Sequence, residues 1–260
     1  MKLTIAFNTF REAIRQRFIL LVALIALILV ATSRYFLRLD LGHEQLKFIF
    51  DFTSGALNFF GVIIAVVASC NLFASEIDNK TIITLMSKPV SFFDFVFGKL
   101  MGIFMALGVF ATFIFAVSLA TLGSVDASIP SDNEFVDSNI NYVGLFCYCF
   151  IQWLKLCMCA SISALMCSLS KSFLFSTAVS FMCVLIFTMA DTVISLGGRD
   201  SDTVKVVSFL LPDLQLLSRA EAFVFGALNA STFVLLAIYA LIYIFCCSIL
   251  ASCSFSKRDF

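Results

Sequence analysis

Residues 74–99 read ASEIDNKTIITLMSKPVSFFDFVFGK, a charged interruption between two strongly apolar segments. The pattern predicts a short helix opening at Ser75, whose hydroxyl can cap it. Glu76 and Asp78 then fall in the first turn, where they match the positive end of the helix dipole. Ile82, Ile83, Leu85 and Met86 give that helix an apolar face. Lys88 and Pro89 end it, because proline disfavours the α region for the residue before it. Ser91 and Asp94 form a variant of the capping box, with Asp where Glu or Gln is usual, and start a long helix. Loop 75–94 is thus expected to hold a short helix and a sharp corner between two membrane-length rods.

Composition reaches a membrane class independently. The 260 residues are 61% hydrophobic and 13% charged, with 32 Phe and a mean hydropathy of +1.05. That leaves too little polar surface to coat a soluble globule. Formal net charge is zero and no basic patch is interleaved with aromatics, so there is no electrostatic case for nucleic acid. The ten Cys lie almost all in apolar stretches, where they behave as small hydrophobes. Cys147 and Cys149, or Cys157 and Cys159, resemble metal clamps in spacing. Residues i and i+2 point to different sides of a helix, however, so no metal site is expected.

Taken in order, the chain begins with Leu3, Ala6, Phe7, Phe10, Ile14 and Phe18 at helical spacing and Arg11, Arg15 and Arg17 among the polar positions between them. This predicts an amphipathic elbow over 2–17 lying on the membrane surface. A signal peptide is the weaker alternative. Six spans follow at about 18–36, 56–74, 95–122, 143–167, 173–194 and 233–251. Residues 39–54 are too polar to span and are expected to form a short outer connection, with at most one amphipathic turn, whose His43 reads as a solvated loop residue. Gly61, Ala65 and Ser69 in the second span, and Gly98, Gly102 and Ala106 in the third, recur four apart and would let helices approach closely. Residues 123–142 make an acidic outer loop. Lys155 lies mid-span, where a lysine costs about 2.5 to 3.5 kcal/mol on insertion scales, so it should snorkel, face a wet cavity or find a partner. Residues 195–229 hold two stretches, Val204 to Leu211 and Leu214 to Leu228, split by Pro212 and Asp213. Both are expected to be short interfacial or re-entrant outer helices. The whole forms one all-α transmembrane domain over 1–260.

Charge sets the expected orientation. Lys2, Arg11, Arg15, Arg17, Lys80, Lys88, Lys99, Lys171, Lys257 and Arg258 fall on one side, against Arg34, Arg38, Lys47, Arg199, Lys205 and Arg219 on the other. Ten against six places both termini in the cytosol. A G-x-x-x-x-G-K-[ST] loop is absent, since Gly98 and Lys99 are followed by Leu and lack the earlier Gly. One His, no HExxH and no GxSxG elbow leave little room for catalysis, and no enzyme activity or bound cofactor is expected of this chain.

Glu76, Asp78, Thr81, Lys88, Pro89, Val90, Ser91, Gly98 and Lys99 together resemble the loop after the second span in permease subunits of ABC-2 type ABC transporters. Lys80 stands where that family usually has Gly, and Phe92 where Arg usually follows Ser. The likeness is nearest to the subgroup labelled multicopper-enzyme maturation permeases. The resemblance implies a permease of a bacterial inner membrane, working as an exporter with separate ATPase subunits that carry ATP and Mg, and with a second permease copy or paralogue. It also implies that loop 75–94 is a cytosolic coupling helix that docks on the ATPase through Glu76, Asp78, Thr81, Lys88, Pro89, Ser91 and Lys99. The other readings are an ATPase-independent secondary transporter or channel and a non-transporting membrane anchor.

Overall fold

The computed structural model describes residues 2–36, 45–78, 92–126, 141–170, 172–190, 212–226 and 229–256, and every element among them is helical. In chain order these are α1 (Lys2–Arg15), α2 (Arg17–Phe36), α3 (Gln45–Asp78), α4 (Phe92–Asp126), α5 (Tyr142–Leu169) and α6 (Phe173–Thr188). Then come α7 (Gln215–Ser218), a 3-10 turn (Arg219–Glu221), α8 (Ala222–Phe225) and α9 (Ala230–Ser256). Lipid offers no hydrogen-bond partners, so apolar segments satisfy their backbone within the helix, as they do here.

Four helices, α3, α4, α5 and α9, are long and apolar enough to cross a membrane, and the bent pair α1 and α2 makes a fifth. The six-span expectation is therefore met for four or five. In the expected fifth span, 173–194, α6 ends at Thr188 after 16 residues, short of the roughly 20 that a crossing needs; Met189 is a bend, Ala190 is helical again, and residues 191–194 lie outside the described set.

α5 is the centre of the bundle, packed against α3, α4, α6, α9 and the short segment 212–226. Asn141 caps its start, the side-chain oxygen accepting from the Val143 and Gly144 amides at 3.1 and 3.3 Å. The α1–α2 corner falls at Gln16 with a 66° bend. The Asn71 amide donates to Gln16 Oε1 at 3.3 Å, tying the corner to α3.

Several expectations need correcting. Ser75 does not open a new helix. α3 runs on to Asp78, and the Ser75 hydroxyl donates back to the Leu72 carbonyl at 3.3 Å, as serine does inside a helix. Nothing between Phe73 and Asp78 breaks the helix, so Glu76 and Asp78 sit at its end rather than in a first turn. Residues 45–54 are likewise not a loop but the opening turns of α3, where Ile49 and Phe50 are buried while Lys47 and Asp51 stay exposed. One helix carries both polar and apolar residues here because each faces its own surroundings.

α1 does not rest on lipid alone: Ala6, Thr9 and Ala13 are buried on its side toward α4. The stretch from Leu214, expected as an interfacial or re-entrant helix, takes the inward course in three short helical pieces. α7, the 3-10 turn and α8 run into the bundle, with Leu214, Leu217 and Ala220 fully buried. Val204 to Leu211 lie outside the described residues.

Candidate coupling joint and buried polar seam

The ends of α3 and α4 that flank residues 79–91 are fastened to each other. Lys99 is 2% exposed, and its ammonium donates to the Leu72 carbonyl at 2.5 Å. The same nitrogen lies 5.6 Å from the Phe73 ring centre and 5.4 Å from that of Phe95. Phe73 stacks on Phe255 of α9 at 5.7 Å and meets Phe95 edge-on at 6.5 Å. Three helices therefore meet on one cation and three rings, and aromatic pairs of this kind contribute about 0.5–1.5 kcal/mol each beyond buried area.

α1 is seated on α4 just beyond this joint. A Cβ at Gly102 would lie 2.5 Å from the Ala6 carbonyl oxygen and 2.6 Å from Thr9 Cβ, so only glycine permits this approach. Gly61 of α3 faces the Leu156 side chain of α5, where a Cβ would come within 2.7 Å. Ala65 and Gly98 are buried. Trp153 of α5 donates its indole N–H to the Phe104 carbonyl of α4 at 3.0 Å, beside Gly108.

Farther along α3 from Asp78 lies a polar seam. Ser54 shares a short hydrogen bond with the Tyr148 hydroxyl and donates to Glu221 Oε1 at 3.2 Å, while Gln152 donates to Tyr148 at 2.8 Å. Lys155, 5% exposed, donates to the Ser218 hydroxyl at 3.0 Å, with Glu221 and Asp213 adding attractive charge. Burial raises the Glu221 carboxyl above its ordinary value; the Ser54 hydrogen bond lowers it, the Asp51 charge raises it further, and Lys155 lowers it. Gln152 Oε1 and Thr53 Oγ1 are buried without a partner among the described residues. A cavity of about 20 Å³ lined by Thr53, Ser54 and Tyr148 has room for one water. The segment is anchored at both ends. The Asp213 amide donates to the Tyr239 hydroxyl at 2.8 Å, and the Phe223 carbonyl presses on Gly144 so closely that a Cβ there would be 1.8 Å away.

The expected coupling residues divide into three groups. Glu76 and Asp78 end α3, Lys99 is in the joint, and Thr81, Lys88, Pro89 and Ser91 lie outside the described residues. Arg11, Arg15 and Arg17 are exposed around the elbow, and Lys155 is buried in the seam. Sequence reading missed Phe73, Phe255, Gly144, Ser54, Tyr148 and Glu221. One signal was available: Tyr148, Gln152 and Lys155 recur at i, i+4 and i+7, which is a polar stripe on an apolar helix. No group of three or more His, Cys, Asp or Glu suited to a metal occurs among the described residues.

No curated protein matches the chain. A family model described as ABC-2 family transporter protein matches residues 3–260. The match is to the family as a whole, not to the multicopper-enzyme maturation subgroup. With a bundle of membrane-length apolar helices matched over nearly its whole length, the chain belongs to the ABC-2 family of transporter proteins and is the membrane component of such a transporter.

Proposed function

We propose that this permease couples ATP hydrolysis by separate ATPase subunits to export of a substrate across a bacterial inner membrane, with six spans and both termini in the cytosol. The Lys99–Leu72 joint carries the reading. Because the two helices bordering residues 79–91 are bonded to each other, force applied to the intervening segment would move α3 and α4 together rather than one at a time. On this reading Glu76, Asp78, Thr81, Lys88, Pro89 and Ser91 present the segment to the ATPase, and Lys99 acts from inside as a positioning residue. Gly102 would pass the movement to α1, and the partner ATPase would hold ATP and Mg. A second permease copy or a paralogue would complete the path.

Replacing residues 76–88 by a Gly/Ser linker tests the docking claim. Loss of co-purification with a co-expressed ABC ATPase that the unaltered chain retains, with the bundle still folded, is the expected result; unchanged association would overturn it.

A second reading has one observation in its favour. The buried lysine of the seam has carboxylate neighbours on a broken, inward-running segment, a feature of secondary transporters and channels. Substrate flux through the chain in vesicles without any ATPase would favour it.

A further inference from the structure

α1 presents three strips. Ala6, Thr9 and Ala13 are buried toward α4. Phe7 and Phe10, with ring centres 6.3 Å apart, continue with Ile14 along an apolar strip, where Phe7 is 63% exposed. Opposite the buried strip stand Asn8, Arg11, Glu12 and Arg15, all exposed, and Arg17 is exposed just past the corner. An open hollow of about 320 Å³ is lined by Asn8, Arg11, Glu12, Arg15 and Gln16. A helix with one bundle strip, one apolar strip and one basic strip, bent 66° from the following helix, is shaped to lie at the level of lipid headgroups.

Two guanidiniums share this strip with a single carboxylate, a third, that of Arg17, is exposed just past the corner, and among the described residues none of the three has an ion-pair partner. Planar, forked donors match phosphate oxygens in pairs, and weak hydration lets them leave water at little cost. The geometry points to Arg11, Arg15 and Arg17 as a binding surface for the phosphate headgroup of an anionic phospholipid, in the leaflet where α1 lies. Phe7 and Ile14 would run beside the upper acyl chain. Since α1 is seated on α4 at Gly102, a lipid held here fixes the position of α1 against the bundle. This inference rests on the membrane-surface placement of α1 and not on ATPase coupling.

The test uses the purified full chain in phosphatidylcholine bilayers, without any ATPase, probed with spin-labelled phosphatidylglycerol or phosphatidylcholine. The motionally restricted fraction of each label gives their relative association. Phosphatidylglycerol should be preferred several-fold, the preference should fall with each arginine changed to glutamine, and it should be lost when all three are changed. Lys47→Gln, at the far end of α3, should leave the preference unchanged, as should 10 mM inorganic phosphate. No preference in the wild type, a preference surviving Arg11→Gln/Arg15→Gln/Arg17→Gln, or displacement by inorganic phosphate would each overturn the assignment. Should the triple variant not fold, the three single variants decide: a reduced preference in each supports the assignment, and a preference equal to wild type in all three overturns it. Because no ATPase is present, the result stands apart from the docking test.

Discussion

The Lys99 ammonium reaches back across 27 residues of sequence to the Leu72 carbonyl, bonding the start of α4 to the last turns of α3. A lysine beside a charged loop is ordinarily read as a surface residue that meets a partner. Here it is a buried peg, its charge shared between a helix carbonyl and two aromatic faces.

Removing that peg should loosen the joint. Lys99→Ala is expected to cost about 2–4 kcal/mol, combining a charge-assisted hydrogen bond of about 1.5–3 kcal/mol with the ring contacts. Lys99→Met keeps the stem and should cost less. Melting followed by Trp153 fluorescence checks the stability; alanine and methionine variants that melt with the wild type would refute the peg.

Gly102 and Gly123 separate close approach from helix propensity. Nothing lies within 4 Å of a Cβ added at Gly123, so Gly123→Ala should be neutral or stabilising by up to about 1 kcal/mol. Gly102→Ala forces α1 off α4 and should cost about 1–3 kcal/mol despite the same gain in propensity. Paired melts read the difference, and equal shifts would contradict the contact.

Gly144→Ala is expected to dislodge the short segment 212–226, because the new methyl would occupy the position of the Phe223 carbonyl. Hydrogen exchange over those residues should rise well before the rest of the bundle opens. Protection equal to wild type would mean that α5 and the segment do not meet as described.

Lys155→Met should cost about 1–3 kcal/mol by leaving Ser218 and Glu221 without its ammonium. Adding Glu221→Gln should recover part of that loss. A double-mutant cycle with coupling of about 0.5–3 kcal/mol is expected, and additive effects would show that the two groups do not interact.

Glu221 also gives a pH signature. Its folded-state value is raised, chiefly by burial, so the stability linked to its protonation is present below the unfolded value and lost as pH rises through the folded one. At pH 7 Glu221→Gln should therefore melt at or above the wild type, and the gap should close in acid below about pH 4. A variant that melts lower at pH 7, with the deficit growing as pH rises, would contradict the sign.

Much of the bundle was readable from composition and periodicity. Apolar runs named the helices, and small residues four apart included Gly61 and Gly102, where neighbouring helices come close. Helix ends were read less well. The polar residues 45–54 looked like a connection and Ser75 like the start of a new helix, yet nothing in either stretch breaks α3, which runs from Gln45 to Asp78.

By itself the sequence determined that this chain lives in lipid as a set of helices, because lipid makes every segment satisfy its own backbone and that is a local demand. Only the tertiary structure decided that Lys155 meets Ser218, 63 residues away, that Lys99 turns inward to Leu72, and that Phe73 stacks on Phe255. Those pairings depend on which helix faces lie side by side. Local periodicity carries no information about distant neighbours, whereas a buried polar group must find whichever partner the assembled bundle brings within reach.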